Sequence, residues 1–259
     1  VTAPQQPAQE PVPPPPPRQF AAQAQAVAAA QDAEISAVTP ALAAFVTAVL
    51  AYARTGGRVA GLPLTVAKKI GYYGAVVAVL SAIADRAMDE QRTWSGKRAA
   101  EELWLGTDVG REAGVQAGLA VLAHAAKAIA REARVDEATG GSPGVSLPGE
   151  PYDPQAAEHA KSYSDPEKIA LPVVQSTRHA AQLAAAAEAG WTRKTWVDKG
   201  DARVRVNHAF LGSKNYEYHV VALDEPFVTL DGNKLWYPGD TSAPVHEWMR
   251  CRCWLRLSR

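Results

Sequence analysis

Two cysteines stand near the end of this 259-residue chain, as Cys251-Arg252-Cys253, and the chain has no others. On a strand, residues two apart point to the same side. Two thiolates on one side, joined by a neutral imidazole, make a ligand set suited to Zn²⁺. His208 and His246 are the histidines that could complete it. The C-x-C spacing is tighter than the C-x₂₋₄-C of zinc modules. The plainer reading is two small, buried, apolar side chains beside Trp254 and Leu255. A disulfide between them would be strained by its short loop and same-face geometry. The expectation is no cofactor, with zinc as the one these residues would allow.

Asp201, Arg203, Arg205 and His208 form a second group. If the backbone there is extended, Arg203 and Arg205 share one face. A structural role has the carboxylate pairing with arginine to fix a turn while His208 donates to a backbone carbonyl. The functional alternative is a phosphate or partner contact by the arginines. A third group is Arg250, Arg252, Arg256 and Arg259, with Trp254 among them and no acid in the last ten residues. This basic patch with one aromatic suits a DNA backbone contact. It suits equally a solvated edge or a protein contact. For catalysis, no G-x-S-x-G elbow occurs, and Gly141-Ser142-Pro143 lies in a linker. A thiol enzyme would need Cys251 or Cys253 activated by histidine.

The elements that position these residues follow from composition. The 27 basic and 27 acidic side chains cancel, which argues against a general nucleic-acid coat. Hydrophobic residues at 47% are enough for a core. Two cysteines exclude a disulfide-stapled secreted scaffold, and no basic-then-apolar leader opens the chain. Residues 1–19 form a Pro-rich tail favouring polyproline II, a spacer or a docking peptide. Residues 20–135 are Ala-rich and helical, with breaks expected at Pro40, Gly56-Gly57, Gly61-Leu62-Pro63, Ser95-Gly96 and Gly106. Val115, Leu119, Leu122 and Ile129 mark the clearest amphipathic helix, 111–134. His124 within it reads as a structural or surface residue. The uncharged runs Ile35–Ala53 and Ile70–Ala84 read as buried helices rather than a membrane hairpin, one being Pro-interrupted and Ala-rich, the other short.

Residues 136–154 form a Gly/Pro linker, and 155–259 a C-terminal domain. There the spacing predicts a helix from Pro172 or Val173 to Ala189, capped by Gly190. It then predicts a strand over Tyr216–Leu223, a hairpin of Phe227–Leu230 and Lys234–Tyr237 about Asp231-Gly232-Asn233, and a last strand over Cys251–Leu257. The fold class expected is α+β: an all-helical N-terminal region, then a small α+β domain with antiparallel strands.

The C-terminal segment, about 170–259, resembles the phage Mu F-like head morphogenesis, or minor capsid, family. The resemblance rests on an ordered set. A helix holds Thr177-Arg178 and ends at Gly190. Lys194-Thr195-Trp196 follows, then Asp201-Ala202-Arg203-Val204-Arg205-Val206-Asn207-His208 and Leu211-Gly212. Pro226-Phe227, Gly232, Pro238-Gly239-Asp240 and Cys251-Arg252-Cys253 complete it. Arg250 stands where a small polar residue is expected, and Asn207 where Ser is common. The resemblance implies a non-enzymatic role in building a tailed-phage head, in the capsid interior or at the portal vertex. The partners implied are the portal protein, the major capsid or scaffold protein and packaged DNA, with no membrane and no small-molecule substrate. It implies a motif cluster of Lys194, Trp196, Asp201, Arg203, Arg205, His208, Gly212, Cys251 and Cys253. The alternative is a capsid maturation protease of the same head operon.

Overall fold

Four long helices come first, as the alanine content demands. They are α1 (Pro17–Arg54), α2 (Tyr73–Ser95), α3 (Thr107–Thr139) and α4 (Pro166–Glu188). The computed structural model describes residues 17–54, 73–95, 103, 106–139, 165–212 and 219–259. Residues 1–16 of the expected tail, the breaks at 56–57 and 61–63, and 140–154 of the expected linker lie outside these. The breaks at Ser95-Gly96 and Gly106 coincide with the end of α2 and the start of α3.

Pro40 does not break α1, which continues through it. A helical proline removes the hydrogen bond to the carbonyl four residues back, here that of Ser36. Ser36 and Pro40 both lie on the exposed face, where water can reach that carbonyl. On the opposite face Val38, Leu42, Phe45 and Val49 are buried, and their packing outweighs the lost bond. The same holds for Pro172 inside α4, whose carbonyl partner belongs to the exposed Lys168. Hence α4 starts earlier than Pro172. Asp165 caps it by accepting from the Glu167 N–H at 3.1 Å, and Pro166 occupies the first turn. Gly190 ends it as expected, at φ 71°. Its N–H donates to Ala187 O and that of Trp191 to Ala186 O, at 3.0 and 2.9 Å, the paired bonds of a Schellman cap.

Helix α4 is buried on every side from Pro172 to Gln182. It packs against α1, α2, α3 and the last strand. Its apolar residues Ile169, Val173 and Val174 join Leu42, Phe45, Leu80, Leu119, Leu122 and Ile129 in one core. The approach of α3 is set by glycines at every fourth position: Gly106, Gly110, Gly114 and Gly118. A Cβ on Gly114 would lie 2.8 Å from Thr177 O, and one on Gly106 2.5 Å from Ala185 O. With no side chain on this stripe, the two backbones meet directly.

Polar residues on α4 find partners at depth. Gln182 Nε2 donates to Ala87 O at 3.0 Å, and the His179 Nδ1–H donates to Pro238 O at 2.8 Å. Arg178, 1% exposed, holds both Glu34 carboxylate oxygens from Nη1 at 2.9 and 2.8 Å and also pairs with Glu90. The triad ties α4 to α1 and α2. Burial raises the Glu34 pKa despite its arginine partner.

After α4 the chain builds β1 (Arg193–Val197), α5 (Val206–Gly212), β2 (Val220–Ala222), β3 (Phe227–Val228), β4 (Lys234–Leu235), α6 (Val245–Trp248) and β5 (Trp254–Ser258). β1 is central in an antiparallel sheet of order β2-β1-β5, with Lys194 opposite Val221 and Leu257. β3 and β4 form the expected hairpin. The layout is α+β. All four expected strands are shorter than anticipated, β3 and β4 keeping two residues each. The first is Val220–Ala222, residues 216–218 lying outside the described set. The last begins at Trp254, so both cysteines precede it. Within α1 and α3, Gln25–Ala51 and Thr107–Arg131 are long and apolar enough to cross a membrane. In the fold both pack against α4.

Candidate functional site

Beneath the sheet, Trp196, Leu211, Phe227, Leu235, Leu255 and both cysteines form a second buried cluster. His208 is set into it by α5, whose short turn places Leu211 and His208 inward. The Trp196 ring lies edge-on to His208 at 5.0 Å and to Phe227 at 5.4 Å. Gly212 follows because nothing larger fits: a Cβ there would stand 2.6 Å from Trp196 Cδ1 and 2.8 Å from Asp198 N.

The cysteines reach His208 by a turn rather than along a strand. Arg250 takes a left-handed φ of 55°, and Cys251 N–H donates to Trp248 O at 3.2 Å. Both sulphurs then face the same imidazole nitrogen: Nδ1 is 3.6 Å from Cys251 Sγ and 3.6 Å from Cys253 Sγ. The carbonyls of both cysteines are fixed by Gln175 Nε2, at 3.3 and 3.1 Å. All three side chains are at most 2% exposed. Behind the ring, His208 Nε2 stands 3.3 Å from Glu247 Oε2, at ion-pair distance though outside hydrogen-bond alignment. Glu247 Oε1 accepts from Asn207 and Asn233, each at 2.9 Å. The order in space is thiols, imidazole, carboxylate.

The charges follow from that order. Burial opposes protonation of His208, but Cys251 and Glu247 raise its pKa to about 9. Burial also opposes the Glu247 charge, while the neighbouring His208 and the bonds from Asn233 and Asn207 hold it at about 2. Burial pushes the Cys251 thiol up, yet contacts with Cys253 and His208 hold it well below the usual range. Cys253, pushed up by burial and by Cys251, keeps its proton. Asp198 nearby is raised by burial and by Asp201.

No protein-family model, no curated protein and no solved structure matches this chain.

Three of the four ligand candidates therefore meet: His208, Cys251 and Cys253. His246 does not. It precedes Glu247 on α6, and neighbours on a helix point about 100° apart. Glu247 turns inward, fully buried, and the His246 side chain is 54% exposed. The inward carboxylate carries no local signal beyond its place after Pro244-Val245.

The 201–205 stretch is a set of turns, not the extended backbone on which the expected shared face of Arg203 and Arg205 depended. Asp201 does fix a turn, accepting from the Arg203 N–H at 3.0 Å, and it also pairs with Arg252. Arg205 donates to Met249 O. His208 faces sulphur and carboxylate, not the backbone carbonyl that was expected.

Lys194 is buried on β1. Its Nζ donates to Trp236 O at 3.1 Å and lies over the Trp236 and Phe227 rings. Burial lowers its pKa to about 8. Among the C-terminal basic residues, Arg250 and Arg259 are exposed, and Arg252 and Arg256 half-buried. Trp254 is buried at 4% exposure, so its ring cannot serve as the stacking face expected for DNA. His124 is exposed, 5.6 Å from the Trp248 ring.

Proposed function

We propose that this protein is a minor capsid, or head morphogenesis, protein of a tailed phage. In this reading it acts by binding, at the portal vertex or inside the procapsid, during head assembly and DNA packaging. The ordered motif from Thr177-Arg178 to Cys251-Arg252-Cys253 suggests the family. The observation that supports binding over catalysis is where the motif residues go. Arg178, Lys194, Trp196, Asp201, Arg205, His208, Gly212 and both cysteines are spent on internal contacts that hold one module together. The partners are the portal, major capsid or scaffold protein, with packaged DNA a further one through the exposed arginines.

The array Cys251–His208–Glu247 has the chemistry of a thiol nucleophile with its base and orienting acid. It favours the protease alternative in kind. Its burial argues against it, since a nucleophile at 1% exposure offers a scissile peptide no approach. Quantitative mass spectrometry of purified procapsids and mature virions tests the choice. A few copies per particle in either supports the minor capsid reading. Absence from both, with shortened major capsid protein in mature heads, transfers the assignment to the protease.

A further inference from the structure

Among the described residues, His208, Cys251 and Cys253 form the one group of three or more His, Cys, Asp or Glu side chains placed to share an ion. We propose that they bind a single Zn²⁺ ion, with Glu247 as the positioning residue behind the histidine and a fourth position left to water. This site stands whether or not the protein belongs to a phage head.

The distances carry the argument. With Zn–S near 2.3 Å and Zn–N near 2.0–2.1 Å, tetrahedral angles separate a sulphur from a nitrogen ligand by about 3.6 Å. Both sulphurs lie 3.6 Å from the same nitrogen of His208. The ligand atoms of all three residues fall within 4.8 Å of one another. They are held there by the left-handed Arg250 turn and by Gln175 on the two cysteine carbonyls.

The surroundings fit as well. A metal-bound histidine almost always donates its other ring N–H to a carboxylate or carbonyl. With Nδ1 toward the sulphurs, the His208 Nε2–H faces Glu247 Oε2 at 3.3 Å. Glu247 is itself oriented by two asparagine amides. Beside the three ligands lies a cavity of about 10 Å³, lined by Lys199, Arg203, Arg205, Arg250 and Arg252. It has room for one water, and its basic walls suit a bound hydroxide or small anion. Two thiolates against one divalent cation also remove the cost of a buried negative sulphur pair.

The test uses the full chain, purified reduced from zinc-supplemented cells. Elemental analysis should give about one zinc per chain, falling below roughly a tenth in Cys251→Ser/Cys253→Ser. Replacing zinc with Co²⁺ should produce thiolate-to-cobalt charge transfer and the strong visible bands of a tetrahedral site. This spectrum decides the matter on the wild type if the double variant fails to fold. Glu247→Gln keeps all three ligands and should weaken zinc on the order of 10–100-fold in chelator competition. Wild-type protein with less than about a tenth of an equivalent of zinc and no cobalt–thiolate band overturns the proposal, whether its thiols titrate as free or as a disulfide. So does zinc that stays bound in the double variant.

Discussion

Mild acid should weaken this fold through His179. The side chain is fully buried on α4, with its Nδ1–H committed to Pro238 O. Burial, reinforced by neighbouring Arg178, lowers its pKa from 6.5 to about 3. Below 6.5 the unfolded chain takes up a proton that the folded chain refuses. Stability is therefore full above that value and is lost as pH falls toward the folded pKa. Each pH unit within the window removes up to about 1.4 kcal/mol. Between about pH 7 and pH 5 the loss is about 2 kcal/mol, and across the whole window it approaches 5 kcal/mol. Glu34 works in the opposite sense, because its raised folded pKa makes acidification favourable. The comparison must therefore be between two chains. Urea midpoints across this range, for wild type and His179→Asn, isolate the histidine. Asparagine can still donate to Pro238 O but cannot titrate. Its stability should fall about 2 kcal/mol less over the same interval. Equal pH slopes in the two proteins would refute the reasoning.

Three further outcomes are expected. Arg178→Met strands the fully buried Glu34, with half-buried Glu90 beside it, and should cost about 3–5 kcal/mol in urea denaturation; a loss under about 1 kcal/mol would mean the triad is not the tie it resembles. Gly114→Ala puts a Cβ 2.8 Å from Thr177 O, and forcing α3 from α4 should cost about 1–3 kcal/mol, read as a lowered Tm; an unchanged Tm would mean that the helices separate freely. Lys194 has its folded pKa lowered to about 8 from 10.5, so the wild type should gain stability as pH rises through that window, by roughly 3 kcal/mol at most. Lys194→Met should show no such alkaline gain, and an identical profile in both chains would place the charge elsewhere.

What the sequence revealed depended on range. Local signals worked: Gly190 as a cap, Asp231-Gly232-Asn233 as a hairpin turn, and Val115, Leu119, Leu122 and Ile129 as a buried stripe. Pro40 and Pro172 misled because the propensity cost of a proline is local, while the packing that outweighs it comes from helices distant in the chain. The His208–Cys251–Cys253 meeting was legible as a ligand set, though strand geometry was the wrong reason for it. The Arg250 turn, not alternation, aligns the sulphurs. Glu247 was hidden because nothing marks which of two adjacent residues on a short helix turns inward. The Arg178–Glu34–Glu90 triad joins residues 88 and 144 apart, a pairing no local pattern announces. Gly106 was visible as a breaker, but the four-residue period it begins with Gly110, Gly114 and Gly118 marks an interface that was not read.

The burial of α4 on every side from Pro172 to Gln182 limits how the chain can exchange material with other genes. A crossover between the helical half and the sheet-bearing half has no neutral place at this helix. Any new upstream partner must bring acids opposite Arg178 and a side-chain-free ridge opposite Thr177, Ala181 and Ala185. Without them it would leave a cation and a set of backbone carbonyls without their fit. Inheritance of the C-terminal motif should therefore carry its helical cradle with it, and variation should concentrate on the outer faces of α1 and α3, away from α4.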